Sequence, residues 1–264
     1  MNKRTILDTA MYLVAFALIQ IAAAMAASLV CQTRDLTPMA TIVTTLASSA
    51  LAIALFAWRG WAPVSGQYIQ TRPWFTLFWV ACLAVGSSTP VAFLIEEAGL
   101  RMPDQYAQLF AGIMSHDLGY VAVGVVAPIA EEMVFRGAIL RRLLDITGRR
   151  MAWVAIVVSA ALFGVVHGNM AQGMNAFLMG LMLGWLYVRT RSIVPGVVMH
   201  IANNTMSFAM FRLMPGTEDM TLREFYGGDM KRVGLTLLFA LMIFAAALFQ
   251  LNMRLGHEQD SRKQ

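Results

Sequence analysis

The stretch Leu118–Leu144, LGYVAVGVVAPIAEEMVFRGAILRRLL, decides how the chain is read, because it is an apolar run with two acids and a base in its middle. Spanning the hydrocarbon core of a bilayer takes about 20 predominantly apolar residues in a helix. This run is long enough, yet it carries Glu131, Glu132 and Arg136. A charged side chain at the bilayer centre costs about 2.5–3.5 kcal/mol on insertion scales, so it persists where it is paired, faces a cavity or serves a function. Glu132 and Arg136 are four apart, on one helix face, with the acid nearer the N-terminus as the better pairing order requires. Glu131 is turned by about 100° from Glu132, so one Arg cannot serve both acids equally and a carboxylate is left for another task. Pro128, three residues earlier, lacks a backbone N–H and opens the helix just before the acids.

Working outward, the 264 residues are 58% hydrophobic and 13% charged, against about a quarter charged in an ordinary soluble domain. Mean hydropathy is +0.63. Seven further apolar runs accompany the first: Thr9 to Val30, Pro38 to Trp58, Trp74 to Ile95, Met151 to His167, Asn169 to Val188, Ile193 to Phe211 and Val233 to Met253. The expected fold is therefore all-α, a polytopic integral membrane protein of about eight transmembrane helices. A single membrane domain over residues 1–264 is expected, with the motif-bearing core at about 118–211. The first run is too long for the apolar region of a signal peptide and reads as an anchor.

The net charge of +5 does not point to nucleic acid, since the basic residues sit in short clusters between apolar runs. They fit orientation in the membrane better, because Lys and Arg accumulate in cytoplasmic loops. With the N-terminus inside, 13 of the 20 Lys and Arg fall on the cytoplasmic side and 6 outside. Both termini then face the cytoplasm, which suggests a plasma (inner) membrane. The strongest inside marker is the cluster Arg141, Arg142, Arg149 and Arg150, whereas the last outside loop, with Arg212, Arg223, Lys231 and Arg232, breaks the rule. Cys31 and Cys82 form no metal or redox spacing. No internal repeat or linker is found, and the longest connections run from Glu96 to Asp117 and from Arg212 to Arg232.

The following runs bring polar groups to the same depth. Folded as antiparallel helices about Gly148, Glu131 and His167 lie about 17 and 19 residues from the pivot, a depth difference of roughly 3 Å at about 1.5 Å per residue. Phe163 sits one turn before His167, and His200 shares a helix face with Asn204. A carboxylate, two imidazoles and an amide thus gather in or near the membrane. Singly, a histidine or asparagine in such a place is most simply an interhelical polar contact; together they make a candidate site.

Three strings carry a resemblance to a known family. Glu131-Glu132-Met-Val-Phe-Arg136, Phe163-Gly-Val-Val-His167 and His200-Ile-Ala-Asn-Asn204 look like the EExxxR, FxxxH and HxxxN motifs of the CAAX-protease and bacteriocin-processing (CPBP, Abi) family, in the family's order. That family's type II CAAX prenyl endopeptidases are similar eight-helix, glutamate-type intramembrane proteases. Each motif alone is weak: Glu96-Glu97-Ala-Gly-Leu-Arg101 also satisfies EExxxR, at the end of a run, where it reads as a solvated loop.

The resemblance implies an intramembrane endopeptidase. Glu131 would act as general base and hold a water jointly with His167, while His200 and Asn204 would donate hydrogen bonds to the developing oxyanion. Glu132, Arg136 and Phe163 would support the site, the first two as an ion pair. A carboxylate in an apolar cavity is a stronger base than in water, and oxyanion donors gain strength where water is excluded. No cofactor is required on this reading. Zinc stays open, because one Glu and two His form the ligand set of some catalytic zinc sites, which would make Glu131, His167 and His200 ligands. The expected partners are membrane lipid and a peptide or protein substrate at the membrane, prenylated or leader-bearing. A non-proteolytic scaffold, a bacteriocin-immunity protein or a transporter could use the same polar cluster.

Other chemistries find less support. HExxH is absent, and every Asp lies in a loop, a tail or at the edge of a run. Gly86-Ser87-Ser88 reads as helix packing or a kink near Pro90, with a serine nucleophile as the alternative. Gly180 and Gly184 form a GxxxG suited to helix packing. Many of the Met residues read as packing or lipid-facing groups, and His116 and His257 carry no role.

Overall fold

The computed structural model describes residues 3–33, 35, 37–63, 66–148, 150–217 and 220–261. All regular elements among them are helices: α1 (Lys3–Val30), α2 (Pro38–Trp58), the short α3 (Gly66–Gln70), α4 (Trp74–Glu97), α5 (Asp104–Ser115), α6 (Asp117–Thr147), α7 (Ala152–Val165), α8 (Met170–Thr190), α9 (Val194–Leu213), the short α10 (Leu222–Phe225) and α11 (Met230–Ser261). Their ends follow local chemistry. Thr37 caps α2, its hydroxyl accepting from Ala40 N–H ahead of Pro38 in the first turn. Asn169 caps α8 in the same way, accepting from Gln172 N–H at 3.0 Å. Gly148 closes α6 with φ +63, a backbone conformation that glycine adopts without strain.

Five helices are long and apolar enough to cross a membrane: Thr5–Val30, Pro38–Trp58, Trp74–Glu97, Asp117–Thr147 and Met230–Leu255. This is fewer than the eight expected. Helix α7 is apolar but has 14 residues, about 21 Å of rise against a hydrocarbon core of about 30 Å. Helices α8 and α9 have the length, but Gln172 and Asn175 in one and His200, Asn203, Asn204, Thr205 and Ser207 in the other dilute their hydropathy. The two long connections also hold structure. Residues 96–117 include the amphipathic α5, which buries Ile113 and Met114, and residues 212–232 include α10, closed by a capping box between Thr221 and Glu224. The polar C-terminal tail continues α11 to Ser261.

Helix α6 is the axis of the molecule. Of its apolar window 56% is buried, against 11–33% for the other four spans, so protein surrounds it where lipid would face the others. It packs against α1, α2, α7, α8 and α9, while α4 pairs with α11 and α7 with α8. Small residues set these approaches. A Cβ on Gly86 would come 2.4 Å from the Phe244 backbone nitrogen, so the glycine is what lets α4 meet α11. The hydroxyls of Ser87 and Ser88 donate to Ala84 and Val85 carbonyls of their own helix, which accords with packing for this string. Gly180 faces Ala160 and Gly184 faces Ile156 across the α7–α8 contact, as the GxxxG spacing suggested.

The ends of the helices are tied by charge. Arg142 pairs with Asp8 at 2.7 Å and joins α1 to α6, and Arg141 donates to Trp61 O at 2.8 Å. At the opposite end three of the four basic residues from Arg212 to Arg232 are held in ion pairs. Arg212 pairs with Asp117, Arg223 with Glu97 and Arg232 with Asp229. Glu96 accepts from Leu222 N–H, so the second EExxxR string is a clasp on α10. Arg34, Arg149, Arg262 and Lys263, four of the basic residues used to assign sides, lie outside the described residues.

Candidate active site

Two stretches of α6, Tyr120–Val126 and Met133–Leu140, are wound as wider π turns, with the ordinary α-helical segment Ala127–Glu132 between them. Such turns are rare and cluster at functional sites. Side chains donate to backbone carbonyls within both stretches. Ser159 Oγ of α7 donates to Phe135 O at 3.0 Å, and Arg141 Nε donates to Gly137 O at 3.0 Å. Asn204 Nδ2 of α9 donates to Val123 O at 2.9 Å. The two acids sit at the end of the α-helical segment, held between these anchored turns.

Glu132 and Arg136 form the expected ion pair, Arg136 Nη1 donating to Glu132 Oε1 at 2.8 Å with both side chains essentially sealed from solvent. Arg136 also donates from Nη2 to Gly180 O of α8 at 3.3 Å, and its guanidinium lies 4.5 Å from the centre of the Phe163 ring. The charge is thus compensated by a carboxylate, a carbonyl and a ring face, as a buried cation requires. Glu132 makes a second contact, accepting from His200 Nδ1 at 3.3 Å. Its other oxygen, Oε2, is buried with no hydrogen-bond partner among the described residues and rests against Gly196.

Glu131 is placed differently. Its side chain keeps 22% exposure, and Oε2 lies 3.6 Å from His200 Nε2. His200 therefore stands between the two acids, one nitrogen toward each. His167 lies just past the end of α7 and is part-buried. Its Nδ1 meets Phe163 O at 2.8 Å. A carbonyl only accepts, so Nδ1 carries the proton, and in the neutral ring Nε2 is left with a lone pair. Phe163 packs edge-on against both His167 (4.9 Å between centroids) and His200 (5.7 Å). The register of α6 with α7 is fixed by Phe135 against Phe163 and by Ser159 against Phe135 O, and Glu131 and His167 lie one turn beyond those contacts along the chain.

Glu131, Glu132, Arg136, Phe163 and His200 are thus joined by direct contacts, and His167 joins them through Phe163. Asn204 stands one turn away on α9, committed to Val123 O and accepting from Asn203 Nδ2 at 3.3 Å. Among the described residues no group of three or more His, Cys, Asp or Glu is arranged to hold a metal ion. Three contributors escaped the sequence motifs: Gly196, Gly180 and Ser159. The small residues at 180 and 184 gave a packing signal for one of them; nothing local marked the other two.

The chain resembles the type II CAAX prenyl endopeptidases beyond its three short strings. The family model described as "Type II CAAX prenyl endopeptidase Rce1-like" matches residues 117–206, the segment that holds every site residue above. A Bacillus subtilis (strain 168) protein named "Putative membrane peptidase YdiL" is 26% identical over 133 residues, covering 50% of this chain and 53% of that protein. The match thus spans about half the length of this curated relative. No solved structure matches the chain.

Proposed function

We propose that the protein is an intramembrane endopeptidase that hydrolyses a peptide bond of a membrane-associated substrate with water activated by Glu131 and His167. The observation that carries this reading is the division of the site by exposure. Glu132, Arg136 and His200 are buried and tied to one another, while Glu131 and His167 keep partial access. A reacting water needs a carboxylate and an imidazole it can reach, and the accessible groups are one of each. His167, with its proton held at Nδ1, offers Nε2 to the water, and Glu131 takes the proton as the oxygen attacks the carbonyl carbon. Donors from α9, Asn204 and, with both ring nitrogens protonated, His200, would take up the negative charge on the carbonyl oxygen. The proton on Glu131 then passes to the departing amine. Glu132 and Arg136 hold the site in place through His200 and Phe163.

The likeness to prenyl endopeptidases favours a prenylated CAAX-type substrate, and the name of the Bacillus relative favours peptidase chemistry at a membrane. We read α7, α8 and α9 as the three remaining spans of an eight-helix protein in the plasma (inner) membrane. Ser159 of α7 and His200, Asn204 and Thr205 of α9 are bonded to α6 and sheltered by it, and on this reading the Arg141–Arg150 end is cytoplasmic. The test is a trapping experiment. A Glu131→Gln variant inserted in lipid should still cross-link to a prenylated CAAX peptide and fail to cut it, and His167→Ala should fail likewise. Cutting by Glu131→Gln at the wild-type rate would end this assignment.

A further inference from the structure

The first π stretch of α6 ends with Ala127 N–H donating to Ala122 O, a bond across five residues. The next bond in that register would run from residue 128 to Val123 O. Residue 128 is proline and has no N–H to give. Val123 O accepts instead from Asn204 Nδ2 at 2.9 Å, across the gap to α9. A backbone carbonyl left without a partner in an apolar interior is costly, so this bond fills a vacancy that the proline creates. It also settles which way the amide points. Only the NH2 end can face a carbonyl, and Oδ1 is turned to Asn203 Nδ2. An amide nitrogen carries two hydrogens, and Val123 engages one.

We propose that Pro128 and Val123 are positioning residues for Asn204. The missing N–H of Pro128 frees the Val123 carbonyl, the carbonyl locks the Asn204 amide, and the second Nδ2 hydrogen is the one presented to a substrate carbonyl. The inference rests on the protease reading for its last step only. Pro128 lies in the same six-residue segment as Glu131, and Asn204 lies one turn from His200, so the bond also sets the register of α9 against the acids. The break that opens α6 and the donor offered to substrate are then two consequences of one residue.

The experiment is a double-mutant cycle on the full-length protein in lipid with Pro128→Ala, Asn204→Ala and both together, reading melting temperature and steady-state cleavage of a prenylated CAAX peptide. Asn204→Ala should lower the melting temperature and cut kcat by about 10²–10³-fold with little change in KM. Pro128→Ala restores an N–H toward Val123, releases the amide and should lower kcat by about 10-fold or more. In the Pro128→Ala background, Asn204→Ala should no longer change the melting temperature. An unchanged melting cost of Asn204→Ala in both backgrounds overturns the proposal. Asn204→Asp, which sets an acceptor against the Val123 carbonyl, should melt lower than Asn204→Ala; melting at the wild-type temperature also overturns it. If the wild type cleaves nothing, the protease reading fails by itself while the melting cycle still decides whether Pro128 and Asn204 are coupled.

Discussion

Adding one methyl group at Gly196 should disable the site without touching a candidate catalytic residue. A Cβ there would lie 2.5 Å from Glu132 Oε2 and 3.3 Å from its Cδ, so about 0.9 Å must be found to reach ordinary contact near 3.4 Å. Glu132 cannot easily give way, because Oε1 is held by Arg136 at 2.8 Å and by His200 at 3.3 Å. Displacing it breaks a sealed ion pair, at about 3–5 kcal/mol. Moving α9 outward instead resembles overpacking a tight core, at about 1–3 kcal/mol, and is the cheaper route. His200 rides on α9 one turn beyond Gly196, and a displacement near 1 Å can cost about 10²-fold in rate. Gly196→Ala should therefore lose about 1–3 kcal/mol of stability and about 10²-fold in cleavage. Gly234→Ala is the control, since nothing lies within 4 Å of its Cβ position. Thermal melting and cleavage rates in matched lipid provide the assay. Wild-type melting together with wild-type cleavage in Gly196→Ala would refute the close approach of α9 to Glu132.

Three further outcomes are expected. Arg136→Met leaves Glu132 a sealed acid with only His200 beside it and should destabilise by about 3–5 kcal/mol, read as a fall in melting temperature. Arg136→Lys should not restore the loss, because one ammonium cannot reproduce the guanidinium's contacts to Glu132, Gly180 O and the Phe163 ring. Ser159→Ala should cost about 0.5–1.5 kcal/mol by removing the hydrogen bond from α7 to Phe135 O. Cysteines placed singly at Arg142 and Arg223 should label from opposite sides of the membrane with an impermeant maleimide, and labelling of both from one side would overturn the proposed topology.

The sequence carries the helices and the polar cluster for different reasons. Apolar runs of spanning length announce themselves by composition, and Glu132 with Arg136 follows from helical spacing alone. The roughly 100° between neighbouring acids already separated Glu132, paired with Arg136, from Glu131, which makes no hydrogen bond to Arg136 among the described residues. The π turns were invisible, because winding by one extra residue leaves no composition signal; only Pro128 hinted at them. Gly196 could not be recognised, since its role depends on where a side chain from another helix ends. The pairs Arg212–Asp117 and Arg223–Glu97 could not be read from the sequence, because the partners lie about a hundred residues apart and meet only once the chain is folded, whereas Arg232–Asp229 is local. Helix α9 is too polar to stand out as apolar for the same reason that it holds the site: His200, Asn204 and Thr205 bond to groups of α6.

The most direct measurement is hydrolysis of a prenylated CAAX reporter and a pool of membrane peptides by the purified protein in lipid, comparing wild type with Glu131→Gln and His167→Ala, each with and without chelator. The expected result is cleavage by wild type that chelator does not abolish and that both substitutions remove while melting temperatures stay close to wild type. Loss with chelator and recovery with zinc would recast Glu131, His167 and His200 as metal ligands. An intact, inserted wild type that cuts neither the reporter nor the pool would contradict the protease reading and leave the polar cluster to a binding or immunity role.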